Sequence, residues 1–414
     1  MIDKPEQILL PLGFAFSSLA AGIKASGRPD LALVEISGGA SASALFTSNR
    51  VVAAPVEVGR ASLAASGGRV RALVVNSGNA NCATGRAGIA ACRRVCAETA
   101  KILGVQAKEV FSSSTGIIGV PLPDEKIRAA LFALVRNRAA SAQAAGDFAS
   151  AIMTTDSRPK IASARISFAG KSPVRNSKPH SGKSIALLGV AKGAGMIHPQ
   201  LATMLVYLFT DAVATARELR TLLRDACDES FNCMSVDGDT STNDTVLLLA
   251  SGGSGVRIGA PGVKKHVSAA VNRVCQSLAE QIISDGEGVQ HVIRLHINGA
   301  RNRDEALTVA RTISHSLLVK TAWAGADPNW GRILAAVGRC GVAVDPSRVN
   351  IFIGEQKVCA GGVACSFDQD GAHRALAAAE CSVQVELGRG RSAVQFLTTD
   401  LTAEYVRINA DYST

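Results

Sequence analysis

A chain of 414 residues, 47% apolar and 19% charged, is long enough to bury the cores of two or three domains. It has no apolar run of about eighteen residues, which excludes a helix crossing a bilayer. Its formal charge of +10 comes with only three Tyr and two Trp and no clustered basic stripe, so a stacking platform for nucleic acid is excluded and solubility or attraction of small anions remains. The opening MIDKPEQILLPLGF has acids early and no long apolar core, so it does not read as a signal peptide, and a cytoplasmic location is expected.

In chain order the pattern alternates strands and helices. Short strands are expected at 31–35, 42–46, 56–58 and 71–75, then an Ala-rich helix at 85–103 and helices at 124–136 and 141–153. A strand at 184–191 precedes a Gly-rich loop, and an apolar strand at 204–209 follows it. An amphipathic helix at 215–230, a strand at 245–250, a long helix at 264–284, a strand at 289–297 and a helix at 305–318 come next, with strands at 350–353 and 382–387. This mixture predicts layered α/β architecture with mixed sheets, not strict βαβ repetition. Residues 172–184, SPVRNSKPHSGKS, read as an exposed polar loop or insertion. The ten cysteines include no CxxC; most lie among Ala and Val and read as small buried hydrophobes in a reducing compartment. Cys92 and Cys96 lie four apart on the helix at 85–103, but no nearby His or Cys completes a metal site.

Several loops carry chemistry in their composition. KGAGMIHPQLATMLVYLFTDA, residues 192–212, runs from Gly and Pro through Ala202 and Thr203 into an apolar strand. A threonine at that junction can be an ordinary strand opener. It can also cut its own preceding peptide bond and thereafter use its new α-amine, of ordinary pKa about 7.7–8.0, as general base. In SSSTGIIGVPLP, Thr115 and Gly116 can offer a hydroxyl and a closely approaching N–H to an oxyanion, or can form a plain polar turn. VNSGNAN at 75–81 can order a buried loop, the reading preferred, or orient substrate. DGDTSTND at 237–244 resembles part of a calcium loop, but the slot for the bidentate acid falls on Leu248. In DGEG, Asp285 and Glu287 can each pair with an ammonium or solvate a turn.

Taken together, these segments resemble the ornithine acetyltransferase family, also called the arginine biosynthesis bifunctional protein or glutamate N-acetyltransferase family. GFAFSSLAAGIKASGRPDLALVE, VVNSGNAN, STGIIGVPLP, AIMTTD, KGAGMIHPQLATML, SVDGDTSTNDT, SDGEGV, DPNWGRILAAVG and YVRINADYST occur in the family's order over nearly the whole chain. The resemblance implies a fold shared with self-processing aminopeptidases and superficially similar to N-terminal-nucleophile hydrolases. It implies a catalytic domain at 1–290 and a C-terminal domain at 291–414 whose tail returns to the site. It also implies scission between Ala202 and Thr203 into an α chain, 1–202, and a β chain, 203–414, assembled as two of each.

Carried onto matching positions, the resemblance makes Thr203 the nucleophile and Thr115 and Gly116 the oxyanion hole. Thr154, Lys192, Thr203, Glu287, Asn409 and Thr414 become substrate-binding residues. The implied reaction moves the acetyl group of N2-acetyl-L-ornithine to L-glutamate through an acetyl-threonine, with no metal or bound cofactor and with acetyl-CoA left open as a second acetyl donor. Two departures stand out: the long 172–184 stretch, and Ser413 in the tail. One rival is a self-processing aminopeptidase or amidohydrolase, in which water accepts the acyl group. Another is a non-enzymatic basic binding protein, which charge alone supports.

Overall fold

The structure is a computed structural model and describes residues 8–168, 184–198 and 204–411. The first sheet uses β1 (Phe14–Leu19), β2 (Leu31–Phe46), β3 (Arg69–Asn79), β4 (Val110–Ile117), β5 (Lys160–Ser167), β6 (Ser184–Lys192), β7 (Leu205–Thr210) and β8 (Thr245–Ala250). Its order is β4-β3-β2-β8-β7-β6-β5, with β1 paired to β2. The β3–β4 and β7–β8 pairs are parallel and the other pairs antiparallel, so the sheet is mixed.

Strand β7 lies within the sheet and is buried at every residue, which explains its unbroken apolar sequence. Its alternate side chains enter two cores. Val206 and Leu208 meet α5 (Ala216–Asp228) and α6 (Val263–Ser284) on one face. Leu205, Tyr207 and Phe209 meet β1 and α4 (Ala142–Ala151) on the other. There Phe209 packs edge-on against Phe14 and Phe16, with ring centroids 5.3 Å away in both cases. Such aromatic pairs add roughly 0.5–1.5 kcal/mol each beyond area burial. On this flank α2 (Gly85–Leu103) covers β3 and β4, α3 (Asp124–Arg136) packs on α2 and β2, and α1 (Ala54–Ser66) packs on β4.

The second sheet holds β9 (Val292–Ala300), β10 (Asn350–Ile353), β11 (Gln356–Ala360), β12 (Val363–Ala364), β13 (Glu380–Glu386) and β14 (Ser392–Thr399), in the order β12-β11-β10-β13-β9-β14. Helices α7 (Arg303–Ser314), α8 (Leu317–Ala324), α9 (Trp330–Gly338) and α10 (Gln369–Leu376) share its core. The boundary drawn at 290/291 falls in the link between α6 and β9. A final helix, α11 (Ala403–Asp411), buries no residue fully yet runs back to the first sheet's loops.

Several expectations change. The strand expected at 56–58 is part of α1; Pro55 opens that helix, where its missing N–H costs nothing, and a two-valine alternation is too short to outweigh it. The strands expected at 31–35 and 42–46 are one sixteen-residue strand, β2, with a register shift between Glu35 and Ala40. The helix expected at 305–318 is two, because Ser316 takes an extended conformation and starts α8. The polar run at 112–116 is strand β4 instead of a turn. It is buried beside β3, and Ser114 donates to the Asn76 carboxamide oxygen at 2.6 Å. All ten cysteines are free thiols, nine of them buried. Among the described residues no helix is long and apolar enough to cross a membrane.

Candidate active site

A polar cleft with a cavity of about 120 Å³ opens where β4, the end of β6, the 237–243 loop, the 285–288 turn and α11 meet. Thr115, Gly116, Thr154, Lys192, Glu287 and Asn409 all line it, drawn from stretches as far apart in sequence as β4 and the last helix. Each is placed by its element. Thr115 and Gly116 end β4, where the register sets Gly116 against Gly78 of β3. At Gly116 φ is +130°, and a Cβ built there would lie 2.3 Å from the Gly78 carbonyl carbon, so only glycine fits. Asn243 fixes this corner by donating its amide to the Ala80 and Ser114 carbonyls at 2.7 and 2.8 Å.

Lys192 ends β6 and is buried; its ammonium donates to Thr115 Oγ1 at 3.1 Å. Burial pulls that ammonium below its ordinary pKa, while Asp156, Asp244 and Glu287 oppose the fall. Across the cleft, Glu287 Oε2 accepts from Asn409 Nδ2 at 2.9 Å, and the Glu287 N–H donates to the Ala194 carbonyl. Helix α11 also supplies Tyr405, whose hydroxyl donates to Asp237 Oδ2 at 3.2 Å. Asp237 accepts from the backbone N–H groups of Met196 and Ile197 as well. Thus two of the three DGDTSTND acids serve backbone donors: besides Asp237, Asp244 Oδ1 takes the Met204 N–H at 2.9 Å, and its burial raises its pKa well above the carboxylate range. The asparagines of VNSGNAN bind backbone carbonyls. Asn79 Nδ2 donates to the Val120 and Pro121 carbonyls, and Asn81 Nδ2 to that of Gly88.

Behind the cleft lies a buried ionic triad. Lys160 Nζ donates to Asp156 Oδ1 and to Asp285 Oδ2, both at 2.6 Å, and all three side chains are at most 5% exposed. Asp156 Oδ1 also accepts the Gly193 N–H at 2.6 Å, and Oδ2 that of Thr154 at 2.9 Å. Burial acts to raise the Asp156 pKa, but Lys192 and Lys160 outweigh it and hold the carboxyl at about 2. One triad therefore touches the segments carrying Thr154, Lys192 and Glu287.

Ala202 and Thr203 lie outside the described residues, as do Ser413 and Thr414, most of the 172–184 stretch and the scission itself. The nearest described neighbour of Thr203 is Met204. The β6–β7 register sets Lys192 opposite Leu205, so the chain enters β7 beside Lys192. Sequence reasoning missed Tyr405, Asp237, Asn243, Asp156 and Lys160 as parts of this neighbourhood. Tyr405, Asp237, Asn243 and Asp156 lay inside quoted motif blocks, but their partners are distant in sequence. Lys160 carried no local signal.

The fold and cleft define a two-sheet mixed α/β protein with an amino-acid-sized polar site that sets an ammonium against carboxylates. A sequence model of the ArgJ family matches residues 15–414. The arginine biosynthesis bifunctional protein ArgJ of Methylococcus capsulatus is 44% identical over 407 residues, covering 97% of this chain and 95% of the relative. The protein of the same name from Pseudomonas syringae pv. tomato is 41% identical over 97% of this chain and 96% of its own. A solved ornithine acetyltransferase from Mycobacterium tuberculosis, in complex with ornithine, matches 46% of this chain and 92% of its own at 36% identity, with a TM-score of 0.38. The chain belongs to the ArgJ family, a family of arginine-biosynthesis enzymes.

Proposed function

We propose that the protein transfers the acetyl group of N2-acetyl-L-ornithine to L-glutamate through an acetyl ester on Thr203, after cutting its own chain between Ala202 and Thr203. What carries this reading is the gathering of Thr115, Gly116, Thr154, Lys192, Glu287 and Asn409 around one small cleft, beside the point where the chain enters β7. The Thr203 hydroxyl gives its proton to its own α-amine and attacks the acetyl carbonyl. The oxyanion forms at Thr115 and Gly116, where a single donor is typically worth about 10²–10³ in rate. The amide bond breaks, the α-amine returns the proton to the leaving nitrogen, and ornithine departs. Glutamate then enters the same cleft, its neutral amine attacks the ester carbonyl, the bond to the Thr203 oxygen breaks, and the proton lost by that amine passes through the Thr203 α-amine to the Thr203 oxygen.

Both substrates are α-amino acids, so one site serves both. Lys192 meets the carboxylate in this scheme and Glu287 meets the ornithine ammonium. The reaction needs no cofactor. Glutamate acetylation with acetyl-CoA in place of acetylornithine measures whether coenzyme A also delivers the group. The assembly proposed is two α and two β chains. Thr203→Ala is expected to run as one full-length band on a denaturing gel and to transfer no acetyl group. A Thr203→Ala protein that still yields two fragments overturns the assignment. Acetate release without acetylglutamate would instead identify a hydrolase.

A further inference from the structure

We propose that Asp156, backed by Lys160 and Asp285, is the counter-charge that keeps Lys192 an ammonium in the buried wall of the cleft. The inference rests on the reading of Lys192 as the carboxylate-binding group. Lys192 is 4% exposed, and the one side-chain hydrogen bond described for it goes to a neutral hydroxyl, Thr115 Oγ1. An ammonium in that setting loses hydration and needs a compensating charge nearby. The triad supplies one: two carboxylates and one ammonium leave a single excess negative charge against the single positive charge of Lys192.

The geometry puts that excess on the correct side. Asp156 Oδ1 is bonded to the Gly193 N–H, on the residue next to Lys192. Lys160 sits between the carboxylates and ties Asp156 to the outer one, Asp285, on the turn that carries Glu287. The charged groups around Lys192 are Asp156, Lys160, Asp244, Glu287 and, more weakly, Lys24. Lys160 and Lys24 have the same sign as Lys192 and oppose its protonation. Asp244 is itself pushed toward its neutral acid by burial. Glu287 faces the cleft and Asn409, where the substrate ammonium competes for it. Asp156 is the carboxylate both held ionised and fixed to the Gly193 N–H beside Lys192. It is a positioning residue that acts through Lys192, not a group that touches substrate.

The test is glutamate binding to the mature protein, measured by titration calorimetry across pH and paired with the pH profile of kcat/KM. Asp156→Asn keeps the shape and one acceptor oxygen but removes the charge. Lys192 should then lose its proton at lower pH. The alkaline limb should move down by about one unit, with glutamate bound roughly tenfold more weakly above the wild-type limb and nearly normally well below it, since one unit is tenfold in equilibrium. Asp156→Glu restores the charge and should return the limb toward wild type. Asp285→Asn removes the outer charge and should move the limb the same way by less. A folded Asp156→Asn protein with a wild-type pH dependence overturns the proposal; should that variant not fold, an unshifted Asp285→Asn protein does so. A wild-type protein that neither binds glutamate nor transfers acetyl groups overturns the functional reading itself, which is a different result from an unshifted variant.

Discussion

Gly195 decides where the Glu287 carboxylate can sit. A Cβ built on Gly195 would lie 2.3 Å from Glu287 Oε2 and 2.5 Å from Cδ, well inside contact distance. Glu287 faces a cleft and can swing away, so the clash is relieved by the very group proposed to hold the substrate ammonium. Gly195→Ala is therefore expected to raise KM for acetylornithine by about tenfold, roughly 1.4 kcal/mol of lost binding, with a melting temperature close to wild type. Steady-state kinetics with a parallel melt checks this; an unchanged KM would detach Glu287 from donor binding. At this scale the sequence was informative wherever a residue stood in a compact motif, as Thr115, Lys192 and Glu287 do. It was silent where the chemistry depends on a distant partner. Lys160 and Asp285 are 125 positions apart, and no local pattern announces that they share a proton-bearing contact.

Among the elements, α11 holds the clearest functional argument. It packs by close approach more than by burial: Gly288 lies so near the helix that an added Cβ would be 2.4 Å from the Tyr405 nitrogen. Thr402 donates its hydroxyl to the Gly288 carbonyl at 2.6 Å, just before the helix begins. No residue of α11 is fully buried, so the rest of the fold does not depend on it. Ending the chain after Thr402 should cost about 1–2 kcal/mol or less of stability, the ordinary range for losing surface contacts. It should nevertheless abolish acetyl transfer, because Tyr405 and Asn409 leave the cleft. Circular dichroism melts and an acetyl-transfer assay on the truncated protein separate these outcomes, and retained activity would remove α11 from the site. Helices with strong periodicity or firm stops, such as α2, α3 and β8's neighbour α5, were legible in sequence. β1, β5, β14 and α11 were not, because they are short or half-exposed and owe their form to neighbours. Strand β4 was not legible either, because its serines look solvent-seeking until β3 covers them and Asn76 accepts the Ser114 hydroxyl.

For the whole molecule the question is how the second sheet is joined to a cleft built mostly from the first. The Ser235 N–H donates to the Leu397 carbonyl of β14, and the end of β14 turns into α11 through Thr399 and Asp400. Lys320 of α8 sits under this turn, buried, donating to the Thr399 carbonyl and, at 3.1 Å, to Thr399 Oγ1. Asp400 in turn is bonded to His291 Nδ1 at 2.9 Å. Burial pulls the Lys320 ammonium down to about 7 from an ordinary 10.5, against the pull of Asp400 and Asp237. Above about pH 7 the folded protein has shed this proton, while the unfolded chain keeps it to about pH 10.4. The unfolded state thus binds more protons across that window, and the Lys320 contribution makes stability rise with pH there, by at most about 1.4 kcal/mol per unit. Below about pH 7 both states are protonated and the burial penalty is felt in full. Lys320→Met, similar in volume and uncharged, should remove this slope, so that the stability difference between variant and wild type changes steadily from about pH 7 to about pH 9. Urea unfolding at a series of pH values measures it. Parallel curves for the two proteins would mean that Lys320 carries the same charge folded and unfolded, and that the junction of the sheets tolerates a buried ammonium without penalty.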